Sequence, residues 1–410
     1  MRSGDWANSG YGVQSRSLLP RLANLPHFGG RQAIAQFAWY GLHGGMHQVD
    51  GFAVYPGAAD PYGNDVIAAH AKDFGANIVV TLIDAWVLNR IGERVKPALF
   101  LPWLPIDHDP VPDKVLESIA DAHLPITYSK WGHAMLNRHN VPNHYIPHGI
   151  EPTVYHVAAD RAAIAEFKRG LTGGLDQQHL TVMVAANKGY PDRKGFQQQL
   201  RAWAAFAQDK PHAWLYMHTE PTTLFGGIDM GALLKNLGIQ QRVIFPDRYQ
   251  NGVKGLPPEY LALVYNAADV YLGAAMSEGF GIPIVEAQAC GTPVVVTDFS
   301  AMPELVRWGR SVPMLDRYWT PMNAWQALPD WVGIRQALEY FHSIWLDNGR
   351  DLPLTQRHST MQAIHAEYDW DAIVRDQWTP LMDKLVQAAP PLDSRFQVAV
   401  PDAPQAEVAA

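Results

Sequence analysis

The sequence predicts an α/β protein made of two Rossmann-like, doubly wound domains that face each other across a cleft. Three observations carry this. The chain has 410 residues, too long for one ordinary core. Short apolar runs alternate with helical patterns throughout, as parallel α/β architecture requires. The alternation stops at a Pro- and Gly-containing break, PHGIEPTVY (147–155), and then restarts.

In the first half the patterns predict strands over 33–40, 77–83, 98–104, 126–128 and 144–146, and helices over 64–74, 111–122 and 130–139. The second half predicts strands over 181–186, 213–218, 243–246, 270–273 and 293–297. Helices alternate with them over 195–207, 230–237, 258–267 and 283–290. The domains are thus 1–149 and 150–367. A helix over 368–388 crosses back to the first domain, and 389–410, rich in Pro and Ala, reads as a disordered tail. Only MRSGDWAN precedes the Gly-rich SGYGVQSR, whereas a doubly wound domain ordinarily opens with a buried strand. A start lying upstream is the expectation; loss of a central strand is the alternative.

Composition excludes several functions. Apolar residues at 48% and charged residues at 18% are ordinary for a globular enzyme. A net charge of −8 argues against a nucleic-acid partner. Residues 1–150 hold 11 Lys/Arg against 12 Asp/Glu, so there is no basic surplus to attract anionic lipid. That leaves room only for peripheral membrane contact through a local patch. Cys290 stands alone, which excludes an intrachain disulfide and fits a packing role in a reducing compartment. With no signal-peptide pattern and no apolar run near the ~20 residues that span a bilayer, the expected location is cytoplasmic.

The stretch SEGFGIPIVEAQACGTPVVVTD (277–298) concentrates the chemistry. Pro283 suits the first position of a helix and Gly291 its left-handed stop. Gly279 and Gly281 let backbone approach a ligand, and the N–H groups of Gly281, Ile282 and Ile284 can meet an anion at the positive end of the helix dipole. Glu278 precedes that site and Glu286 is expected in the first turn. Carboxylates at contact distance repel a phosphate by several kcal/mol, on the order of 4 at an effective dielectric near 20. They can instead accept hydrogen bonds from hydroxyls, which suits a ligand with hydroxyl, phosphate and hydroxyl in series. Equally, both acids would favour a helix N-terminus at ~0.3–1 kcal/mol each. The residues alone leave these two readings level.

This region resembles the E-x7-E signature of retaining glycosyltransferases of family GT4, which have the GT-B fold. The likeness includes both acids, the intervening Gly-Phe-Gly-x-Pro and the following A-x-x-x-G-x-P-V-V. It extends to SGYGVQSR (N-terminal Gly loop), IPHGIEPTVY (interdomain segment), LALVYNAADVYL, FSAMPELV and YDWDAIV (returning helix). The resemblance implies that Glu286 holds the ribose hydroxyls and Glu278 the donor sugar. It places the Phe280–Ile282 backbone near phosphates and sugar, and Gly10 and Gly12 near the donor phosphates or acceptor. A tight strand-to-helix turn is the plainer reading of the two N-terminal glycines.

Expulsion of a diphosphate requires cations. ANKGYPDRKGF supplies Arg193 and Lys194 in a strand-loop-helix setting that resembles the family's phosphate clamp. The family commonly separates the two by four residues; here they are adjacent, and Lys188 is an upstream substitute. On the acceptor side Asp84 ends the apolar run VVTLIDAW, where it could polarise a hydroxyl or equally cap a helix or bridge the domains. PIDHDPVP carries Asp107, His108 and Asp109; Asp109 reads as a helix N-cap more than as a metal ligand. His43 and His47 have helical metal-ligand spacing, but Gly44 and Gly45 weaken any helix between them. The resemblance implies catalysis without metal. It predicts transfer of a hexose from a nucleoside diphosphate sugar, GDP- or UDP-linked, to a hydroxyl of a glycan, lipid or small molecule, with retention of configuration. A non-catalytic nucleotide-sugar or glycan-binding protein on the same fold is the rival expectation. A phosphorylase or epimerase is the third.

Overall fold

The computed structural model describes residues 10–37, 44–189, 192–251 and 255–389. The predicted tail from residue 390, the expectation of an upstream start, the end of the predicted 33–40 strand and His43 lie outside the described residues.

The N-terminal half runs α1 (Gly10–Ala23), β1 (Ala35–Phe37), β2 (His47–Val49), β3 (Phe52–Tyr55), α2 (Ile67–Phe74), β4 (Ile78–Leu82), α3 (Ile91–Arg94), β5 (Leu99–Leu104), α4 (Asp113–Ile119), β6 (Ile126–Thr127), α5 (Lys130–Arg138) and β7 (His144–Tyr145). The sequence expectation of one sheet needs correction. Strands β4-β5-β6-β7 form a parallel sheet in chain order, whereas β1 pairs with β3 in a separate sheet of order β1-β3-β2. The extra hairpin turns at Asp50 (φ 48°) and Gly51 (φ 80°), both in the left-handed region that a two-residue Asp-Gly turn requires.

The C-terminal half runs α6 (Arg161–Leu171), β8 (His179–Val184), α7 (Phe196–Ala207), β9 (Ala213–His218), α8 (Met230–Asn236), β10 (Val243–Ile244), α9 (Pro258–Ala267), β11 (Val270–Leu272), α10 (Ile282–Ala289), β12 (Val294–Thr297) and β13 (Gly309–Val312). Its six strands are parallel in the order β10-β9-β8-β11-β12-β13. The chain winds outward from β8 in one direction and from β11 in the other. The gap between the carboxyl ends of β8 and β11 is therefore a topological switch point, where open α/β sheets bind ligands.

An antiparallel hairpin follows, β14 (Met314–Trp319) and β15 (Trp325–Pro329), then α11 (Trp331–Asp347) and α12 (Leu354–Tyr368). The hairpin reaches the N-terminal half: Asp109 and Trp325 exchange backbone hydrogen bonds of 3.1 and 2.9 Å, and Arg317 pairs with Asp109 at 3.5 Å. Asp109 is accordingly no helix cap. Pro112 occupies the cap of α4, and no side chain bonds there.

The returning segment differs from the single helix expected over 368–388. Helix α12 ends at Tyr368, and Asp369 caps the next turn by accepting from Asp371 N at 2.8 Å. Then come α13 (Trp370–Ile373), a π-helical turn (Val374–Trp378) and α14 (Thr379–Ala388). This segment packs on α1 and buries Trp370 and Trp378 against Trp103 of β5, with ring centroids 6.5 and 5.2 Å away. Gly149 is required here, since a Cβ would lie 2.6 Å from the Trp370 ring. Arg21 of α1 completes the join with two 2.9 Å bonds to Glu151 and one of 2.6 Å to Asp371. A further link crosses the halves: Glu304 accepts from the N–H groups of Lys130 and Trp131, both at 2.8 Å, at the start of α5. Among the described residues no helix is long and apolar enough to cross a membrane.

Candidate active site

Side chains from the carboxyl ends of five strands converge between the halves. Lys194 follows β8 and Glu278 follows β11; they meet at 2.5 Å (Nζ to Oε1). Arg193 lies 3.7 Å from Glu278 Oε2 and donates to Ser277 O at 3.2 Å. From the other side, Asp84 follows β4, Asp107 follows β5 and Tyr128 follows β6. Asp107 lies 3.7 Å from Arg193 and 2.7 Å from His108 Nδ1. Tyr11, in the first turn of α1, donates to Asp84 at 3.4 Å and accepts from Tyr128 at 3.5 Å. The structure thus brings Arg193, Lys194, Glu278 and Asp84 into one cleft.

The two loops from the C-terminal half are tied together. Met276 N donates to Arg193 O at 2.9 Å. Gln199, buried in α7, donates to Lys194 O at 2.6 Å and accepts from Ala274 N at 2.9 Å. Gly195 turns the chain at φ 65°, and a Cβ there would lie 2.8 Å from Ala274 O. Glu278 N in turn donates to Ser300 Oγ at 3.0 Å. Lys194 cannot shift without disturbing this lattice.

Electrostatics separate the two faces. Burial works against the Asp107 carboxylate, but His108, Arg193 and Lys194 hold it ionised, down to about 2. Burial and Arg193 lower the Lys194 ammonium below the ordinary lysine value, with Glu278 opposing them. Burial, then Asp84, raises the Tyr11 phenol well above 10, and burial with Tyr11 and Asp84 does the same to Tyr128. Both phenols stay protonated: buried Tyr128 gives its proton to Tyr11, which gives its own to Asp84.

Helix α10 departs from expectation in three details. It starts at Ile282, so Pro283 is its second residue and Glu286 falls in the second turn rather than the first. Ile284 N is already donated to Gly281 O at 2.9 Å. Glu286 is 6% exposed and accepts from Tyr265 at 3.1 Å. Burial raises its carboxyl from 4.5 to about 7, against the lowering effect of hydrogen bonds from Tyr155 and Tyr265. Gly291 does adopt the left-handed stop, φ 73°.

The glycines have distinct reasons. Gly281 sits at φ 113° as the cap of α10. A Cβ on Gly279 would lie 2.3 Å from Pro105 Cβ, so that glycine makes room for the loop after β5. Phe280 turns its ring into the interior against His148 and Tyr368, at 5.3 and 5.8 Å, leaving its backbone at the cleft. Gly10 and Gly12 lie inside the first turn of α1, not before it, and the Cβ position of Gly10 is 3.7 Å from Ile282 Cδ1. The starts of α1 and α10 are therefore neighbours.

Lys188, exposed on a turn that pairs with Gly226, lines one small pocket together with Arg193 and Lys194. His47 is in strand β2, not on a helix. Among the described residues no group of three or more His, Cys, Asp or Glu is arranged to hold a metal. Reading the sequence alone missed Gln199, Tyr11, Tyr128 and the site position of Asp107. Tyr11 stood inside the Gly-rich SGYGVQSR, but a phenol carries no local signal of its partner 73 residues away.

Comparison with known proteins places this geometry. The family model described as "Glycosyl transferases group 1" matches residues 188–339, which carry Arg193, Lys194, Glu278 and Glu286. Within this chain, 88 residues are 43% identical to a D-inositol 3-phosphate glycosyltransferase of Mycobacterium sp. (strain KMS), 21% of this chain and 18% of that protein. A protein of the same name from Corynebacterium jeikeium (strain K411) is 40% identical over 84 residues, 20% of this chain and 18% of that one. The matched stretch thus spans about a fifth of the length of these relatives. In three dimensions the chain is similar to sucrose-phosphate synthase from Thermosynechococcus elongatus, with TM-score 0.68, 19% identity and coverage of 93% and 94% of the two chains. Anabaena Alr3699/HepE in complex with UDP-glucose gives 0.67 at 14% identity, covering 93% and 98%. WaaG, a glycosyltransferase involved in lipopolysaccharide biosynthesis, gives 0.61 at 15% identity, covering 95% and 98%. The fold is GT-B.

Proposed function

We propose that this protein is a glycosyltransferase that moves a hexose from a nucleoside diphosphate sugar to a hydroxyl acceptor with retention of configuration. The observation that carries the reading is the Lys194–Glu278 pair at 2.5 Å, with Arg193 beside it, at the β8/β11 switch point and facing Asp84 and Asp107. Lys194, Arg193 and the neighbouring starts of α1 and α10 meet the diphosphate as its charge grows. Glu278 and the Phe280–Ile282 backbone hold the donor sugar, Gly10 and Gly12 let the backbone of α1 approach, and Glu286 accepts from the ribose. The acceptor oxygen bonds to the anomeric carbon on the face that the phosphate leaves, and its proton passes to the departing phosphate oxygen. Asp84 and Tyr11 orient that hydroxyl. A UDP-glucose complex of a protein with this fold supports a nucleotide-sugar donor. The base is assigned to the 246–249 segment, where Asp247 caps the turn by accepting from Gln250 N at 2.9 Å. The chain divides at residue 149 into acceptor and donor domains.

The test is release of nucleoside diphosphate from UDP-, GDP- and ADP-sugars with a panel of hydroxyl acceptors. Wild type should turn over one of them, and Lys194→Ala and Glu286→Ala should lose that activity. Full rate in both variants would overturn the site. Nucleotide binding without turnover across the panel would point instead to a binding protein.

A further inference from the structure

We propose that Asp107 is a positioning residue for Arg193, and that the β14–β15 hairpin sets it by fastening residues 105–109 to the C-terminal half. The effect on turnover rests on the glycosyltransferase reading above and goes beyond it, because one half of the molecule places a cation of the other.

The side chains of residues 105–109 alternate between the halves, with the period of two that a strand has. Ile106 and His108 are buried, and Ile106 joins the apolar cluster of Ala85 and Leu136 in the N-terminal half. Pro105, Asp107 and Asp109 meet the C-terminal half instead. Pro105 fills the space that Gly279 leaves, Asp107 Oδ2 lies 3.7 Å from Arg193, and Asp109 exchanges two backbone bonds with Trp325.

The hairpin holds this segment in place. Its turn over 320–324 is closed by Thr320, whose Oγ1 donates to Ala324 O at 2.8 Å and accepts from Met322 N at 3.3 Å. The turn presents Met322 to the same apolar cluster that holds Ile106. At the base of the hairpin Ala327 N donates to Met276 O at 3.1 Å, and Met276 N donates to Arg193 O at 2.9 Å. The hairpin thus joins the backbone of Asp109 to the backbone of Arg193, and the side chains of Asp107 and Arg193 meet between them.

The partners of Asp107 suit it to this role. His108 Nδ1 engages Oδ1 at 2.7 Å, which leaves Oδ2 for Arg193, and both cations keep the carboxylate ionised. Arg193 Nη1 is then 3.7 Å from Asp107 Oδ2 and 3.7 Å from Glu278 Oε2. Two carboxylates, one from each half, fix where a rotamer-rich side chain stands before the diphosphate arrives.

The experiment uses the full chain, with nucleoside diphosphate release from UDP-, GDP- and ADP-glucose and the panel of hydroxyl acceptors. Met322→Asp puts a charge into the apolar cluster and releases the hairpin tip without touching the cleft; Met322→Ser is the gentler release if circular dichroism shows the first unfolded. Hydrogen exchange of the peptide carrying Asp109 should quicken at least about tenfold while other N-terminal peptides stay protected. The kcat should fall about tenfold, within the hundredfold that ~1 Å of misplacement can cost, with donor KM changed less than about threefold. Asp107→Asn should give the same split, and the double variant should fall no further than the deeper single one, because both act on Arg193 through one contact. Unchanged exchange at Asp109, faster exchange with full kcat, or losses that multiply in the double variant each overturn the proposal and leave the glycosyltransferase reading intact. A wild type that turns over none of the donors overturns that reading, and the role of Asp107 falls with it.

Discussion

The two faces of the cleft are built from the same architecture and do opposite electrostatic work. Each takes its side chains from the carboxyl ends of adjacent parallel strands. The C-terminal face presents cations, and they are locked: Gln199, Met276 and Gly195 fix the loop of Arg193 and Lys194 to the loop of Glu278. The N-terminal face presents carboxylates and phenols joined by longer contacts of 3.4 and 3.5 Å. A departing diphosphate needs charge held in place before the reaction, because reorganising it costs barrier height. An acceptor hydroxyl needs only orientation.

Four variants sharpen or break that contrast. Lys194→Ala should have the largest effect, a loss of donor turnover on the order of 10²–10³-fold with the fold retained, because it removes an electrostatic contact to the leaving group. Steady-state kinetics with circular dichroism checks it, and a loss under threefold would break the account of the cationic face.

Glu286 gives a pH signature of stability. Its folded-state value, about 7, lies above its ordinary 4.5. The folded state therefore resists ionisation, and stability falls as pH rises from about 4.5 through 7. The penalty above pH 7 is on the order of 3 kcal/mol, at ~1.4 kcal/mol per pH unit. In Glu286→Gln that decline should flatten in denaturant titrations at pH 5 and 8. An unchanged slope would mean that another group carries it.

Gln199→Leu should cost about 1–3 kcal/mol by leaving Lys194 O and Ala274 N without their partner. Turnover should fall about tenfold through kcat while nucleotide affinity changes little. An unaffected kcat would show that the lattice behind Lys194 is packing alone. Asp84→Asn should be mildest, a few-fold rise in acceptor KM with donor affinity unchanged, because the residue belongs to the orienting face. A loss as deep as that of Lys194→Ala would reverse the comparison.

Much of the donor side was legible in the sequence because its determinants are local. The left-handed Gly291, the Gly281 turn, and both glutamates with their helix lie within 22 residues. The Arg193–Lys194 pair sat where a strand-loop-helix places phosphate ligands, and the structure brings it to Glu278. What escaped depended on distance. Asp107 looked like part of a DHD run, and only the approach of the two halves puts it beside Arg193. Gln199 is one of three consecutive glutamines on a helix, and periodicity does not say which of them meets Ala274. Local pattern also predicted one N-terminal sheet, since a short apolar run does not reveal its partner. The Asp50-Gly51 dipeptide is the local signal of the β2-β3 hairpin. Glu286 falls one turn later than Pro283 as a first helical residue predicts, because Ile282 precedes it in α10.

The central claim is that Lys194 and Arg193 hold a nucleoside diphosphate at the β8/β11 switch point. Thermal unfolding and calorimetry with UDP, GDP and ADP test it most directly. One nucleotide should stabilise wild type by ~2.7 kcal/mol at 100 times its dissociation constant. Lys194→Ala should abolish that gain and the calorimetric heat. Equal nucleotide affinity in wild type and variant, or no binding of any of the three to wild type, would contradict the account.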